Sequence, residues 1–177
     1  MIVAPDCASG QNKTLPGEVF EKLGSDVTVA VFAGYCNFIG SIPDELGLLP
    51  NMELLFLYQN HLSGTIPPSL GLLASLEYLS LGFNNLIGGI PPSFGDLTQL
   101  ELLGLNHNAL TGGVPLEVIG LYESSMVNFY VYDNNLSGNL TLNLRDYQYF
   151  ADYTDEQIER KMEQDILRGN NFTLVSP

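Results

Sequence analysis

The chain has 177 residues and a mass of 19.4 kDa, which is enough for one domain with a sizeable core. Its 6 lysines and arginines stand against 20 aspartates and glutamates, which gives a formal net charge of -14 at pH 7. This charge would repel nucleic-acid phosphates and anionic membrane surfaces. The apolar runs are also shorter than a membrane-spanning helix needs, so the sequence argues against nucleic-acid binding and direct membrane insertion.

Residues 1–27 are predicted to form an N-terminal cap with a degenerate half repeat. Leu15 to Ser25 reads LPGEVFEKLGS, which matches the second half of the later repeats in its proline and its apolar spacing. The part through Cys7 has no recognisable pattern. The first residues, MIVAP, lack the basic start and the apolar core of a signal peptide, so no signal peptide is predicted.

Residues 28–149 are predicted to form a repeat region of about five coils. One position recurs every 24 residues, or 26 before the last copy, and we call it the ladder position. Its occupants are Cys36, Asn60, Asn84, Asn108 and Asn134. A single coil cannot bury its own apolar side, so the coils are predicted to stack into a solenoid with a cap at each end.

Each coil carries a pair of apolar residues separated by one outward residue, which is typical of a short strand with one face in the core. The pairs are Val31 with Ala33, Leu55 with Leu57, Leu79 with Leu81, Leu103 with Leu105, and Phe129 with Val131. Stacked coils would join these strands into a parallel sheet. The ladder asparagines follow the strands, and their inward amides are predicted to satisfy backbone groups that the turn leaves unpaired.

The cysteines and the glycosylation motifs bear on the cellular compartment. Cys36 at the ladder position is most simply a buried free thiol, and a disulfide with Cys7 is the alternative. Sequons for N-glycosylation would suit a secreted glycoprotein, although the sequon at Asn135 also follows from the repeat pattern. The sequon asparagines are Asn12, Asn135, Asn139 and Asn171.

Residues 150–177 are predicted to form an aromatic segment and a capping helix. Thr154 and Gln157 have the spacing of a capping box, and the helix should run to about Arg168, with Gly169 at its end. A stripe of apolar residues would face the open end of the solenoid, namely Ile158, Met162 and Ile166. An aromatic plug would precede it, formed by Tyr147, Tyr149, Phe150 and Tyr153. A dedicated partner-binding helix is the alternative.

Function is predicted on the outward side chains of the strands, because the inward positions serve folding. These outward positions are rich in aromatic residues, which supply large contact areas at binding sites. The candidate ligand-binding residues are Phe32, Tyr35, Phe56, Tyr58, Tyr78, Phe83, His107, Tyr130, Tyr132 and Asp133. Polar neighbours are Gln59, Asn106 and Asn128. The competing explanation is that aromatic residues simply stabilise sheets by packing along them.

This face would cover about 300 Å², well below the roughly 800 Å² that each partner buries in a standard interface. A protein loop, a peptide or a glycan would fit it. The charge pattern also favours a basic partner or a calcium-rich medium. No lysine or arginine occurs from Leu23 to Leu144, and Glu53, Glu77 and Glu101 should form a column of like charges that a cation would stabilise. A solvated acidic edge that keeps the protein soluble would explain the same pattern.

The sequence gives little support for catalysis. His61 and His107 are the only histidines, and they occupy different positions in their coils. No catalytic triad order, metalloprotease motif or phosphate-binding loop occurs, so a non-enzyme without cofactor or metal is predicted. Metal binding through His107 with Asp133 is the alternative for this pair.

The repeat pattern LxxLxLxxNxLxGxIPxxLGxLxx resembles the plant-type leucine-rich repeat of receptor-kinase ectodomains and polygalacturonase-inhibiting proteins, over about Thr28 to Leu144. The resemblance implies a right-handed α/β solenoid of about five 24-residue coils, with a parallel sheet on its concave face. Two departures concern the caps, since the chain has no tryptophan and only Cys7 and Cys36 where the family carries cysteine pairs.

The resemblance also implies a function. It predicts a non-catalytic recognition module in signalling or defence, secreted or at the cell surface, which binds its ligand through the aromatic concave face. The alternative is a structural or assembly subunit that docks onto a larger complex through the solenoid or its C-terminal helix. Ice binding, found in some plant proteins with such repeats, would need flat, regular rows of threonine or asparagine, and the columns here are irregular and aromatic.

Overall fold

The computed structural model describes residues 2–3, 7, 11–18, 29–124, 126–140 and 154–174. The chain winds into a solenoid whose coils place strands in two parallel sheets. The first sheet has six strands in the order β1-β3-β5-β7-β9-β11. They are β1 (Ile2–Val3), β3 (Val29–Phe32), β5 (Met52–Phe56), β7 (Tyr78–Ser80), β9 (Leu102–Gly104) and β11 (Asn128–Tyr130).

The second sheet has seven strands in the order β13-β12-β10-β8-β6-β4-β2, and the sequence analysis did not predict it. They are β2 (Lys13–Thr14), β4 (Phe38–Gly40), β6 (His61–Thr65), β8 (Asn85–Gly88), β10 (Ala109–Gly112), β12 (Asn135–Leu140) and β13 (Asn171–Leu174). A glycine with a φ near +80° stands in four of these strands, where a side chain would be strained. Such short, interrupted strands leave no alternating signal in the sequence.

Short helices return the chain from the second sheet to the first. Three are 3₁₀ helices, at Asp44–Leu48, Pro68–Leu72 and Pro92–Asp96, and the next coil has an α-helix instead, α1 (Leu116–Ser124). The prolines at the first positions suit a helix start, because proline supplies the right φ and lacks an N–H that would go unpaired.

The core lies between the sheets and the helices, and the predicted inward residues are buried there. Leu55, Leu79 and Leu103 are fully buried in successive coils, as are Leu57 and its equivalents. Strand pairing also places them in register, with Leu55 opposite Leu79 and Leu79 opposite Leu103. The predicted inward face of the first sheet is therefore confirmed.

The asparagine ladder is confirmed in detail. The Asn84 Oδ1 accepts a hydrogen bond from the Leu62 N–H at 3.0 Å. Its Nδ2 donates at 3.0 Å to the carbonyls of Leu57 and Leu81, one in the preceding coil and one in its own. The amides of Asn60, Asn108 and Asn134 bond in the same way. Each amide thus satisfies backbone groups of two coils at once.

A further ladder residue, Asn170, was not predicted. Its Oδ1 accepts from the Leu136 N–H at 3.0 Å, and its Nδ2 donates to the carbonyls of Val131 and Ile166 at 2.9 and 2.8 Å. The C-terminal segment therefore continues the ladder, although Asn170 lies 36 residues beyond Asn134. The inserted helix hides this position from a search at a period of 24 to 26 residues.

The helix that leads to Asn170 is α2 (Asp155–Met162), which continues as a π-helix over Glu163–Leu167. The predicted capping box is confirmed, with reciprocal hydrogen bonds between Thr154 and Gln157. Of the predicted apolar stripe, Ile158 and Ile166 are buried and Met162 is half-buried against the core. The aromatic plug, Tyr147 to Tyr153, lies outside the described residues. No described helix has the length and apolarity required to cross a membrane.

The free-thiol interpretation of Cys36 is wrong, because Cys36 forms a disulfide with Cys7. The pairing of β1 with β3 brings the N-terminal segment alongside the first coil, where the two cysteines meet. The segment before residue 28 also supplies β2 to the second sheet. Of the predicted half repeat Leu15 to Ser25, the residues after Glu18 lie outside the described part of the chain.

Replacing Asn170 by Ala should lower the free energy of unfolding by about 1–3 kcal/mol, because the Leu136 N–H and two carbonyls lose a half-buried partner. Urea denaturation followed by circular dichroism measures the change. Asn171→Ala is the matched control, since that neighbouring side chain is exposed and should change stability by less than about 0.5 kcal/mol. Equal effects of the two substitutions would contradict the role of Asn170.

Reducing the disulfide should also lower the free energy of unfolding, by about 3–4 kcal/mol, because the bond closes a loop with a sequence separation of 29. The measurement is the urea midpoint with and without a reductant. Cys7→Ala serves as a control that must show the lower midpoint under both conditions. An unchanged midpoint for the unsubstituted chain would show that the bond does not stabilise the fold.

Candidate functional site

The outward residues of the first sheet fall into columns, because equivalent residues of neighbouring strands are paired in register. The column through the middle of the strands reads Phe32, Phe56, Ser80, Gly104 and Tyr130. The predicted binding face is therefore not uniformly aromatic. Large rings stand over its first two coils and its last coil, with small residues between them.

The first aromatic cluster consists of Phe32, Tyr35, Phe56 and Tyr58. The rings of Phe32 and Phe56 are 5.4 Å apart, and Tyr58 meets Tyr35 edge to face at 5.3 Å. Phe56 and Tyr58 are 6.4 Å apart, which links the two pairs. These separations lie in the range of favourable aromatic contacts. Tyr35 and Phe32 are also exposed, at 64% and 41%.

A depression of about 290 Å³ opens in this cluster, lined by Phe32, Gly34, Phe56 and Tyr58. Gly34 was not predicted to take part. A Cβ at this position would stand 2.8 Å from the Tyr58 ring, so the ring can lie across the backbone only because residue 34 is glycine. Aligning the coils in the sequence would have revealed it, since Gly34 occupies the place of Tyr58 one coil earlier.

The second aromatic cluster consists of Phe83, His107, Tyr130 and Tyr132. The imidazole of His107 stacks on Phe83 with centroids 4.1 Å apart and meets Tyr132 edge to face at 5.3 Å. Tyr130 lies 6.4 Å from Tyr132 and donates a hydrogen bond to Asn128 at 2.9 Å. The cluster therefore joins three coils through ring contacts.

Charged residues adjoin the second cluster. The Asp133 Oδ2 lies 2.8 Å from the Arg168 guanidinium and 3.4 Å from the His107 Nε2. The Arg168 guanidinium also covers the Tyr132 ring at 4.0 Å, in cation–π geometry. Arg168 was predicted only as the end of the helix, and its sequence position gave no sign that it reaches the binding face. The proximity of His107 and Asp133 was foreseen, but the described residues contain no group of three possible metal ligands.

A low floor lies between the rings of the first cluster and the Tyr130 and Tyr132 rings of the second. It is formed by Ser80, Gly82 and Gly104. The strands of Phe56 and Tyr130, on either side of it, stand about 14 Å apart at the usual strand spacing. The expectation that Asn106 is an exposed neighbour is wrong, because its side chain lies across Gly82 and is only 8% exposed. The small residues between the aromatic ones can be recognised in the sequence only when the coils are aligned.

One further column was missed. The residue before each ladder position has a positive φ, between 51° and 58°, which is uncommon for residues other than glycine. The column consists of Tyr35, Gln59, Phe83, His107 and Asp133, and Gly169 continues it before Asn170. A Cβ at Gly169 would collide with Asp133. Four of these five side chains are candidate binding residues, so the turn that serves the ladder also directs them outward.

Tyr78 is the remaining candidate, and it lies at the beginning of its strand. Its hydroxyl donates a hydrogen bond to the Glu101 carboxylate at 2.7 Å. This hydrogen bond and the negative charge of Glu101 raise the pKa of Tyr78 above its usual value. The predicted column of Glu53, Glu77 and Glu101 is present, since backbone hydrogen bonds join these three residues in register and all are exposed.

Comparison with known sequences identifies the repeats. The family described as Leucine Rich Repeat matches residues 51–73 and 75–97. The chain contains leucine-rich repeats. These repeats cover the coils around β5 to β8, and the two parallel sheets extend the same fold to both sides of them. No curated protein matches the chain in sequence.

Solved structures with similar folds include plant receptor ectodomains. A TDR receptor is 37% identical, over 77% of this chain and 22% of the receptor chain, with a TM-score of 0.65. A plant ice-binding protein is 30% identical, over 79% and 43% of the two chains, with a TM-score of 0.67. The Arabidopsis receptor kinase HAESA, in complex with the peptide hormone IDA and the co-receptor SERK1, is 29% identical over 73% and 25%, with a TM-score of 0.57. The chain thus spans less than half the length of these proteins.

Replacing Glu101 by Gln should lower the pKa of Tyr78 toward that of a free tyrosine, about 10, because the phenolate would no longer face a carboxylate. Ultraviolet titration of tyrosine ionisation measures this, with Tyr78→Phe identifying the Tyr78 contribution. Glu53→Gln is the control, because Glu53 lies in the coil on the other side of Tyr78, whereas the Tyr78 hydroxyl bonds to Glu101. An unchanged Tyr78 titration in E101Q would contradict the hydrogen bond.

Proposed function

We propose that the chain is a non-catalytic recognition module that binds an extended peptide or protein loop across the outer face of the first sheet. The role as a recognition module is supported by similar solved structures, which include a receptor kinase in complex with a peptide hormone and a co-receptor. The location of the binding site is inferred from the geometry of this chain.

The observation that carries the proposal is the pair of aromatic clusters on either side of a low floor. An extended chain advances about 3.3 Å per residue, so four to five residues span the roughly 14 Å from the strand of Phe56 to the strand of Tyr130. Side chains of such a ligand would reach rings at both ends, while its backbone lies over Ser80, Gly82 and Gly104. Exposed, pre-packed aromatic residues give large contact area at low entropic cost, which is typical of binding hot spots.

The charges favour a ligand with at least one basic side chain. Glu53, Glu77 and Glu101 line one end of the strands. Arg168, a basic group that reaches this face, already pairs with Asp133. A basic residue of the ligand would relieve the repulsion along the glutamate column. A glycan could stack on the same rings, but it would leave this column unpartnered.

We further infer that the chain works outside the cytosol, either secreted or at the cell surface. The Cys7–Cys36 disulfide supports this location, because such bonds persist in oxidising compartments. The receptor ectodomains among the similar structures support it as well.

The assembly alternative has less support. The apolar stripe of α2 would be its docking surface, but Ile158 and Ile166 are buried in the chain's own core. The similarity to a plant ice-binding protein does not favour ice binding either, because the outward columns change from phenylalanine to serine, glycine and tyrosine within five coils.

The test is selection from a displayed library of random extended peptides, followed by affinity measurement with synthetic copies of the selected peptides. Phe56→Ala with Tyr58→Ala should weaken binding at least tenfold, and Tyr132→Ala should do so independently, because each removes an anchor from one cluster. Selected peptides should be enriched in basic and aromatic residues.

Leu72→Ala is the control variant, since Leu72 is an exposed apolar residue on a 3₁₀ helix away from the first sheet. It should leave binding unchanged. Circular dichroism and urea denaturation establish that every variant folds. Peptides that bind all variants with equal affinity would show that the aromatic face is not the site.

A further inference from the structure

The four sequons are distributed unevenly over the solenoid. Asn135 and Asn139 lie in β12, Asn171 lies in β13, and Asn12 directly precedes β2. All of these strands belong to the second sheet, and no strand of the first sheet contains a sequon. All four asparagines are exposed. The surface that would carry modifications is therefore separate from the proposed binding face.

Three of the asparagines share one face of the second sheet. Along β12, Leu136 and Leu140 point into the core and are buried, so Asn135 and Asn139 at the alternate positions point outward. In the parallel pairing of β12 with β13, Ser137 stands opposite Asn171 and Asn139 opposite Thr173. Residues in register share a face, so Asn171 points outward with Asn139, at a Cα separation of about 8 Å.

The three asparagines lie near the edge of the second sheet, because β13 is at its end. Among the described residues β13 is the terminal strand of the second sheet, paired only with β12. A terminal strand offers unpaired backbone groups to which another chain can add. A bulky, hydrated group on β13 and on its neighbour would obstruct such an addition.

We propose that Asn135, Asn139 and Asn171 are N-glycosylated, and that their glycans cover the β12–β13 end of the second sheet while the first sheet stays free. In each transfer the amide Nδ2 bonds to C1 of the sugar on a lipid-diphosphate-linked oligosaccharide. The bond from C1 to the diphosphate oxygen breaks, the lipid diphosphate leaves, and the amide loses one proton.

This proposal rests on the secretory route inferred above, for which the disulfide is an independent indication. It does not rest on the location of the ligand site. Exposure satisfies the remaining requirement, because the acceptor asparagines, and the sequon threonine Thr173 within β13, are all on the surface.

The experiment is expression of the full chain behind a cleavable leader in a eukaryotic secretory host, in an Asn12→Gln background that leaves three sequons. Intact mass is measured before and after treatment with peptide N-glycosidase, which converts each modified asparagine to aspartate. Three glycans are expected, and Asn135→Gln, Asn139→Gln and Asn171→Gln should each remove one. Asn85→Gln, at the position equivalent to Asn135 but without a sequon, should remove none.

The covering role is tested by size-exclusion chromatography with light scattering on the same protein. The glycosylated chain should be monomeric, and the enzymatically deglycosylated chain should self-associate as its concentration rises. Secreted protein with fewer than three glycans, or deglycosylated protein that stays monomeric, would overturn the proposal. Selected peptides should bind both forms equally if the first sheet is the ligand site, so either proposal can fail without the other.

Discussion

The structure depends on one interaction, the bonding of an inward asparagine amide to backbone groups of two successive coils. Each amide accepts an N–H from the preceding coil and donates to a carbonyl on either side of the coil boundary. A buried turn without this amide would leave several polar groups unpaired, at a cost of about 1–3 kcal/mol each. No coil is therefore stable alone, and each coil folds only when it is stacked against its neighbours. The same turn sets the positive φ of the preceding residue, which directs Tyr35, Phe83 and His107 to the outer face.

The parts of the fold that recur with a fixed period could be predicted from the sequence. The buried leucines and the asparagines Asn60 to Asn134 repeat every 24 to 26 residues, so their common environment was readable. The second sheet could not be predicted, because its strands are short and five of the seven contain a glycine of positive φ. Asn170 was hidden by the helix inserted before it, and the partner of Cys36 depended on a strand pairing of β1 that has no sequence signal.

The sequence predicted which residues belong to the candidate site, but it did not predict how they are arranged on the sheet. Composition identified the aromatic side chains, but their grouping depends on which residues stand opposite one another across coils. Ser80 and Gly104 divide the face simply because they are small at positions where Phe56 and Tyr130 are large. Register was recoverable from the 24-residue repeat, so the gap and the role of Gly34 were within reach of the sequence. The approach of Arg168 was not, since it comes from the C-terminal segment.

The contact of Arg168 with the second aromatic cluster links the C-terminal end of the solenoid to the outer face of the first sheet. Between Asp165 and Asn170 the chain bonds to the residues directly after β11, and its carbonyls accept hydrogen bonds from the N–H groups of Val131 and Asp133. Asn170 then closes the ladder, and Arg168 pairs with Asp133 and covers Tyr132. Because one short segment makes all of these contacts, the end of the solenoid cannot loosen without releasing the second aromatic cluster. Stability at this end and the geometry of the cluster are therefore one property of the fold, whereas the first cluster, in the coils of Cys36 and Asn60, depends only on its own neighbours.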